Sequence, residues 1–359
     1  MRIAHLHLHP IRPGEAPATH VHGIVDGLRR LGHGVEVFAP AVGHPGRGRL
    51  RASRDAQRRA AASRADVVYV RQHLLGSAVM GWARQAGLPV VLEVNGGPLD
   101  YTMARPWLLP ATPFFDRVLG RQLAAADGVV AVTEGLADWA RGHGARRVAV
   151  IGNAADRDLV DATIEPTPPP AVEGRPYLLY FGALARWQGV QTLLDAAALP
   201  QWPDDVALVV LGEGALRPAV QQAAAARPHR IVHLPPVARD AVPGIVRAAL
   251  ATASVPHDVP RARSGLSPIK VFESLAVGTP VIGGDLPGLA DLIAETGGGV
   301  TVPPDDPATL ASTVAALHGD AQRRDQLAAA GRAAVAARHT WDHRAAATAD
   351  FLAEVIATT

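Results

Sequence analysis

Short, β-branched apolar runs alternate with helical patterns twice along this chain, and a proline-rich break separates the two series. Arg2–Leu8, Val35–Ala39, Asp66–Arg71, Pro89–Val94, Val129–Thr133 and Val148–Ile151 read as buried strands, with helical stretches such as Ala18–Leu31, closed by Gly32, between them. Continuous apolar strands alternating with helices specify parallel sheets covered on both faces. The run Ile164-Glu165-Pro166-Thr167-Pro168-Pro169-Pro170 reads as a stiff, extended linker. Beyond it the alternation resumes with Tyr177–Phe181, Val206–Leu211, Ile231–Leu234, Ala249–Val255, Pro280–Gly283 and Val300–Val302. Helical runs Pro307–His318, Ala321–Arg338 and Trp341–Ile356 close the chain. The reading is α/β, with a doubly wound domain over 1–160, a linker over 161–175 and a second domain over 176–338. A last segment, 339–359, follows. Two such domains are expected to leave a ligand cleft between them.

The stretch Ser264–Pro280 carries the most chemistry. Ser267 and Pro268 mark a helix start, with Ser267 a candidate cap and Pro268 in the tolerant first turn. A helix start attracts anions, because its outward N–H groups and dipole are positive there. Lys270 adds a full charge at that end, and Glu273, three residues on, lies on the same face. One reading is a nucleotide site, with the diphosphate at the lysine and ribose hydroxyls at the carboxylate. The other is an ordinary intrahelical ion pair.

Composition closes several doors. The 359 residues are 48% hydrophobic, enough for two cores, and the absence of cysteine excludes disulfides, thiolate metal sites and a cysteine nucleophile. Met1-Arg2-Ile3-Ala4-His5 runs straight into a strand, and no apolar run is long enough to span a bilayer, so a cytoplasmic protein is expected. The net charge is only +2, with arginine far outweighing lysine. One basic cluster stands out: Arg47, Arg49, Arg51, Arg54, Arg58, Arg59 and Arg64. It reads as a solvated helix and loop, with peripheral contact to an anionic inner membrane face, a phosphorylated acceptor or nucleic acid as the other readings. No aromatic is interleaved with it, which argues against nucleic acid.

The chain resembles the retaining glycosyltransferases of the GT-B fold, in the large family known as family four. The resemblance rests on His20-Val21, Leu28 and Gly32-His33-Gly34-Val35-Glu36-Val37, and on Ala126-Asp127 through Thr133 and Val150-Ile151-Gly152-Asn153-Ala154-Ala155-Asp156. In the second half Phe181-Gly182, Trp187-Gln188-Gly189, Leu211-Gly212-Glu213-Gly214, Ser267-Pro268-Ile269-Lys270-Val271-Phe272-Glu273 and Gly278-Thr279-Pro280-Val281-Ile282 carry it. It implies transfer of a sugar from a nucleoside-diphosphate donor to an acceptor hydroxyl, with retention, without a metal and without a further cofactor. It also implies a final helix that returns to the first domain. Gly182, Gly212, Gly214, Ser267, Pro268, Ile269, Lys270 and Glu273 are then the donor-binding residues, with Glu273 on the ribose.

The sequence departs from that pattern in several places. Gly265 stands where a glutamate eight residues before Glu273 is usual, Ala183 and Gln188 stand where an arginine and a lysine are usual, and Asn95 replaces a histidine. The loop after the first strand has only Gly14. Negative charge on the leaving diphosphate still needs a cation. Lys270 is therefore expected to supply it, with Arg186 second, while Asn95 and His20 complete the catalytic set. The departures keep open an alternative, a catalytically silent GT-B protein that binds nucleotide or a partner. His5, His7 and His9 alternate and are expected on one strand face. They lack a carboxylate cluster, so they read as packing or acceptor-side groups and no metal site is expected. The acceptor side is expected in the first domain, where Leu99, Tyr101, Trp107, Leu108, Leu109, Phe114 and Phe115 offer an apolar wall or simply pack on their own domain.

Overall fold

A computed structural model describes residues 1–11, 16–40, 47–103 and 105–359, with the backbone alone at 16–17 and 47–49. Gly14 and the side chains of Arg47 and Arg49 therefore lie outside the described residues. The chain divides into two compact units, residues 1–153 with 341–359, and residues 154–340.

The first unit runs β1 (Arg2–Leu6), α1 (Ala16–Arg30), β2 (Gly34–Phe38), α2 (Arg47–Ala61), β3 (Val67–Arg71), α3 (Ser77–Gln85), β4 (Val90–Val94), α4 (Asp100–Met103), α5 (Thr112–Ala125), β5 (Gly128–Ala131), α6 (Glu134–Gly142) and β6 (Val148–Val150). The second runs α7 (Arg157–Asp161), β7 (Tyr177–Phe181), α8 (Val190–Ala196), β8 (Ala207–Leu211), α9 (Arg217–Ala226), β9 (Ile231–Leu234), α10 (Val242–Ala248), β10 (Ala251–Ser254), α11 (Ile269–Ala276), β11 (Val281–Gly284), α12 (Leu289–Thr296), β12 (Gly299–Val302), α13 (Pro307–Gly319) and α14 (Ala321–Arg338). The last helix, α15 (Trp341–Thr358), belongs to the first unit, where it packs along α1. The proline-rich stretch belongs to the second unit, and Thr167 N–H donates to the Gly244 carbonyl of α10.

Each unit holds one six-stranded parallel sheet, in the order β2-β1-β3-β4-β5-β6 and β12-β11-β10-β7-β8-β9. These are the two Rossmann-like halves of a GT-B fold. Alternation along each strand serves both faces at once. In β3, Val68 and Val70 enter one core while Tyr69 and Arg71 point to the other side. In β7, Leu178 and Tyr180 join one core and Tyr177, Leu179 and Phe181 the other. Burial of such runs, at about 1.5–3 kcal/mol for each large apolar side chain, is what drives these elements together. Caps set the helix limits: Thr133 accepts from Leu136 N–H at the start of α6, and Asp306 accepts from Ala308 and Thr309 N–H at the start of α13.

The strand order reverses between β1 and β3 in the first sheet, and between β7 and β10 in the second. Ligands of open parallel sheets bind beyond the carboxyl ends of strands at such reversals. Among the described residues no helix is long and apolar enough to cross a membrane.

Candidate functional site

The carboxyl end of β7 opens into Gly182. A methyl group added there would sit 3.7 Å from Lys270 Nζ, so loop and lysine are neighbours. Gly212, after β8, backs onto the same loop: an added Cβ would lie 1.9 Å from the Gly182 carbonyl oxygen, a contact no side chain survives. A Cβ added at Gly214 would lie 2.8 Å from the Leu184 carbonyl oxygen, and Leu184 N–H donates to the Glu213 carbonyl at 2.8 Å. Gly182, Gly212 and Gly214 are thus brought together by backbone packing.

Lys270 reaches this loop from the first turn of α11. Its ammonium lies 4.2 Å from the centre of the Tyr180 ring and donates to Gln188 Oε1 at 3.4 Å. The position where the family resemblance leads one to expect a lysine is therefore occupied by a side chain that accepts from Lys270. Burial lowers the Lys270 pKa to about 8, against a raising influence from Glu273. Helix α11 is fastened to β10 through Ser274, whose hydroxyl donates to the Lys270 carbonyl and accepts from Thr252. Burial pushes the Glu273 carboxyl up, with Arg239 and Lys270 pulling it down and Asp156 adding to the rise. Arg239 is paired with Asp156 at 3.3 Å.

Two expectations about this helix change. Its first helical residue is Ile269, so Pro268, with φ −76° and ψ 120°, is the N-cap residue rather than part of the first turn. Ser267 lies half-buried one residue further out. Gly265, in place of the usual glutamate, has φ +87° and ψ 154°, a conformation L side chains rarely adopt. A glutamate at this position would have to adopt that conformation. Arg186 begins a short 3₁₀ turn, Arg186–Gln188, and is exposed.

Asn95 and His20 belong to the first unit, and Glu93 joins them. His20 Nε2 lies 3.0 Å from Glu93 Oε2, and His20 Nδ1 lies 2.7 Å from Asn153 Oδ1. Asn95 Nδ2 donates to Glu93 Oε1. Tyr69 donates to Oε2 at 2.8 Å and Arg71 to Oε1 at 3.4 Å. Burial pushes the Glu93 carboxyl up, but the charges of His20 and Arg71 outweigh it and hold it well below the usual range. Sequence reasoning passed over Glu93, Tyr69 and Arg71, and Tyr180 in the other unit. The available signal was charge: Arg71 and Glu93 are charged residues ending otherwise apolar strands, and the register pairs them directly.

The three histidines do not share a strand face. β1 ends at Leu6, so only His5 lies within it. The His5 and His7 rings stack at 5.6 Å and both are buried. His9 is exposed and packs edge-on against His73 at 4.3 Å. Among the described residues no three His, Asp or Glu side chains are grouped to hold a metal ion. Of the arginine cluster, Arg51, Arg54, Arg58, Arg59 and Arg64 are exposed, with Arg58 over Trp82 and Arg59 on Asp55. Trp107, Leu109 and Phe114 are also exposed, whereas Phe115 is buried.

Comparison with known proteins agrees with this geometry. Residues 17–159 match the family model described as Glycosyltransferase Family 4, and residues 175–320 match that of Glycosyl transferases group 1. The D-inositol 3-phosphate glycosyltransferase of Xylanimonas cellulosilytica is 32% identical over 318 residues, spanning 80% of this chain and 72% of that protein. Among solved structures, the sucrose-phosphate synthase of Thermosynechococcus elongatus has a TM-score of 0.77 at 17% identity, covering 100% of both chains. Anabaena HepE in complex with UDP-glucose has a TM-score of 0.74 at 18% identity, covering 99% of this chain and 100% of that one. The chain is a GT-B glycosyltransferase and belongs to glycosyltransferase family 4.

Proposed function

We propose that this enzyme moves a sugar from a nucleoside-diphosphate donor to an acceptor hydroxyl, retaining anomeric configuration and using no metal. The observation that carries the reading is Lys270: a half-buried ammonium at the head of α11, held against the Gly182 loop where the strand order reverses. Breaking a sugar–diphosphate bond places negative charge on the leaving phosphate. A fixed cation and outward helix amides aimed at that charge lower the barrier. Lys270 is the principal cation in this proposal and the exposed Arg186 the second. Gly182, Gly212 and Gly214 let the backbone approach the phosphates, Ser267, Pro268 and Ile269 form the rim of the helix start, and Glu273 takes the ribose hydroxyls.

The first unit receives the acceptor in this reading, with Asn95 contacting a carbohydrate hydroxyl and the buried His20 held behind it between Asn153 and Glu93. Support for a nucleotide-sugar donor comes from HepE, whose structure holds UDP-glucose. The glycosyltransferase of X. cellulosilytica, named for D-inositol 3-phosphate, makes a polyol the first acceptor class to try. The test begins with thermal shift against UDP-, GDP-, ADP- and dTDP-sugars, since a ligand of the native state raises the midpoint. NMR of the product anomer follows. A protein stabilised by none of the four loses the donor assignment. An inverted product removes retention, and activity lost to a chelator and restored by a metal removes metal independence.

A further inference from the structure

Glu93 gathers polar side chains from three other elements of the first unit. It is 1% exposed and sits at the carboxyl end of β4, an interior strand of the sheet. Each of its oxygens faces two polar groups: Tyr69 and His20 at Oε2, Arg71 and Asn95 at Oε1. An ionised carboxylate offers about four lone-pair sites and only accepts. Three hydrogen bonds reach it, from Tyr69, Arg71 and Asn95, with His20 Nε2 beside Oε2 at 3.0 Å, and the atom of Asn95 that meets Oε1 has to be its NH₂.

That constraint has a chemical result at Asn95. A free asparagine amide can turn over to offer either a donor or an acceptor. Here one of the two N–H groups is held by Glu93, which fixes the plane of the amide and the edge on which Oδ1 stands as an acceptor, and Asn95 is half-buried. Asn95 lies one residue beyond the end of β4, and its amide turns back onto Glu93. Arg71, opposite Glu93 in the register, and Tyr69 stiffen the carboxylate from the neighbouring strand.

We propose that Glu93 is a positioning residue that fixes Asn95 as a hydrogen-bond acceptor, so that the group Asn95 reads on the carbohydrate is a hydroxyl acting as donor. The carbohydrate clause rests on the reading under Proposed function; the clamp itself does not. Selection follows from it. A substrate whose hydroxyl is replaced by hydrogen or fluorine loses the contact, because neither can donate.

The experiment is a donor–acceptor swap. Asn95→Asp places two acceptors against Glu93 and should lower turnover of the nucleotide sugar by about tenfold to a hundredfold, the effect of a buried pair left unmatched. Glu93→Gln should fall by a similar factor. The double variant Glu93→Gln/Asn95→Asp keeps the total charge and reverses the hydrogen bond, with Gln donating and Asp still presenting an acceptor. Recovery to within about fivefold of the parent, with UDP affinity by calorimetry unchanged throughout, is the expected coupling. A purely structural role would move the melting midpoint with the rate and show no recovery. A double variant no faster than the slower single, at parental UDP affinity and melting midpoint, overturns the proposal. So do single variants that match the parent.

A measurement on the parent alone covers variants that do not fold. The Asn95 side-chain amide should give one NMR proton shifted downfield and slow to exchange; an ordinary, fast-exchanging pair overturns the clamp. A parent that turns over none of the four nucleotide sugars, yet shows the protected amide, overturns the function reading and leaves the clamp in place.

Discussion

Lys270 holds its ammonium 4.2 Å from the centre of the Tyr180 ring, and Tyr180 donates its hydroxyl to the Ala183 carbonyl at 2.6 Å. The ring is fixed at both ends, by β7 and by the loop that follows it. It therefore sets the height at which the charge stands beside Gly182. A cation over an aromatic face gains about 0.5–2 kcal/mol, enough to favour one rotamer of a flexible side chain. Lys270→Ala should reduce turnover by about 10²–10³-fold, as deletion of one transition-state donor does. Substrate affinity should fall less, because charge on the leaving phosphate grows along the reaction. Lys270→Arg should recover part of the rate, and Arg186→Ala should cost less than Lys270→Ala. Steady-state kinetics decide it: a Lys270→Ala enzyme at the parental rate beside a dead Arg186→Ala would move the role to the loop.

The same lysine gives a pH signature. Burial lowers its pKa to about 8, so it is charged below that value and neutral above it. kcat/KM for the free enzyme should decline on the alkaline side with an apparent pKa near this value. Lys270→Arg should carry that limb to higher pH, since guanidinium does not titrate there. The stability linkage runs the other way. An unfolded chain keeps the lysine protonated up to its ordinary value of 10.5, so the unfolded state binds more protons between about 8 and 10.5. The Lys270 contribution to stability should therefore rise with pH across that window. An alkaline limb shared unchanged by the Arg variant would assign it to another group.

Glu273→Ala should weaken nucleotide binding by about 1.5–3 kcal/mol, the range for hydrogen bonds to a charged group. Its carboxyl is pushed up by burial, and release of that carboxyl to bind ribose hydroxyls should show as a modest loss of affinity in acid. Calorimetry with the nucleoside diphosphate reads both. Parental affinity in a folded Glu273→Ala protein would exclude contact with the ribose.

Strands were legible because most are short apolar runs buried in the sheets, and β7 runs over the residues the pattern marks, Tyr177–Phe181, all five of them buried. The pattern overran β1 because His7 and Leu8 stay buried past the last paired residue, and His7 N–H still reaches the Phe38 carbonyl. Lys270 and Glu273 could be read because their geometry is local to one helix. The partners of these residues could not. Lys270 and Gln188 lie 82 positions apart, Tyr69 and Glu93 24 apart, and only strand order and register bring them together. Gly265 was visible as a missing glutamate, yet its φ of +87° belongs to a loop path that residue type alone leaves undetermined.

The stacked histidines of the first unit should make the protein acid-sensitive. Burial lowers the His5 pKa to about 4 and the His7 pKa to about 2. For His5, Glu93 pulls the other way while His20 and Arg71 add to the fall; for His7, its neighbour His5 and Arg71 deepen the shift. Both are neutral when folded, whereas an unfolded chain protonates them from about pH 6.5 downward. Stability is therefore lost as pH falls below about 6.5, by about 1.4 kcal/mol per pH unit for each histidine. The His5 share ends near pH 4, and that of His7 continues lower. Denaturant unfolding of His7→Gln across pH 4–6.5 should show a slope smaller by about one proton. An identical slope in variant and parent would mean that His7 is already charged in the fold.

Two glycines inside helices should answer the same substitution with opposite signs. Helix propensity favours alanine over glycine by about 0.5–1 kcal/mol in either place, so space decides. Gly81, in α3, has nothing within 4 Å of an added Cβ, and Gly81→Ala should stabilise by about that amount. Gly23, in α1, faces the indole of Trp341 on α15, and an added Cβ would lie 2.4 Å from its Cδ2, where real contacts essentially never fall below 3.0 Å. Gly27, one turn on, meets Ala345 in the same way, so the two helices approach along a strip of small residues. Trp341 is 1% exposed and packs edge-on to His20 at 5.1 Å, which leaves it little room to yield. Gly23→Ala should cost about 1–3 kcal/mol, the usual penalty for overpacking. It should also lower amide-exchange protection in α15 before the rest of the first unit. A Gly23→Ala protein as stable as Gly81→Ala, with α15 fully protected, would show that the helices can part to admit a methyl group at no cost.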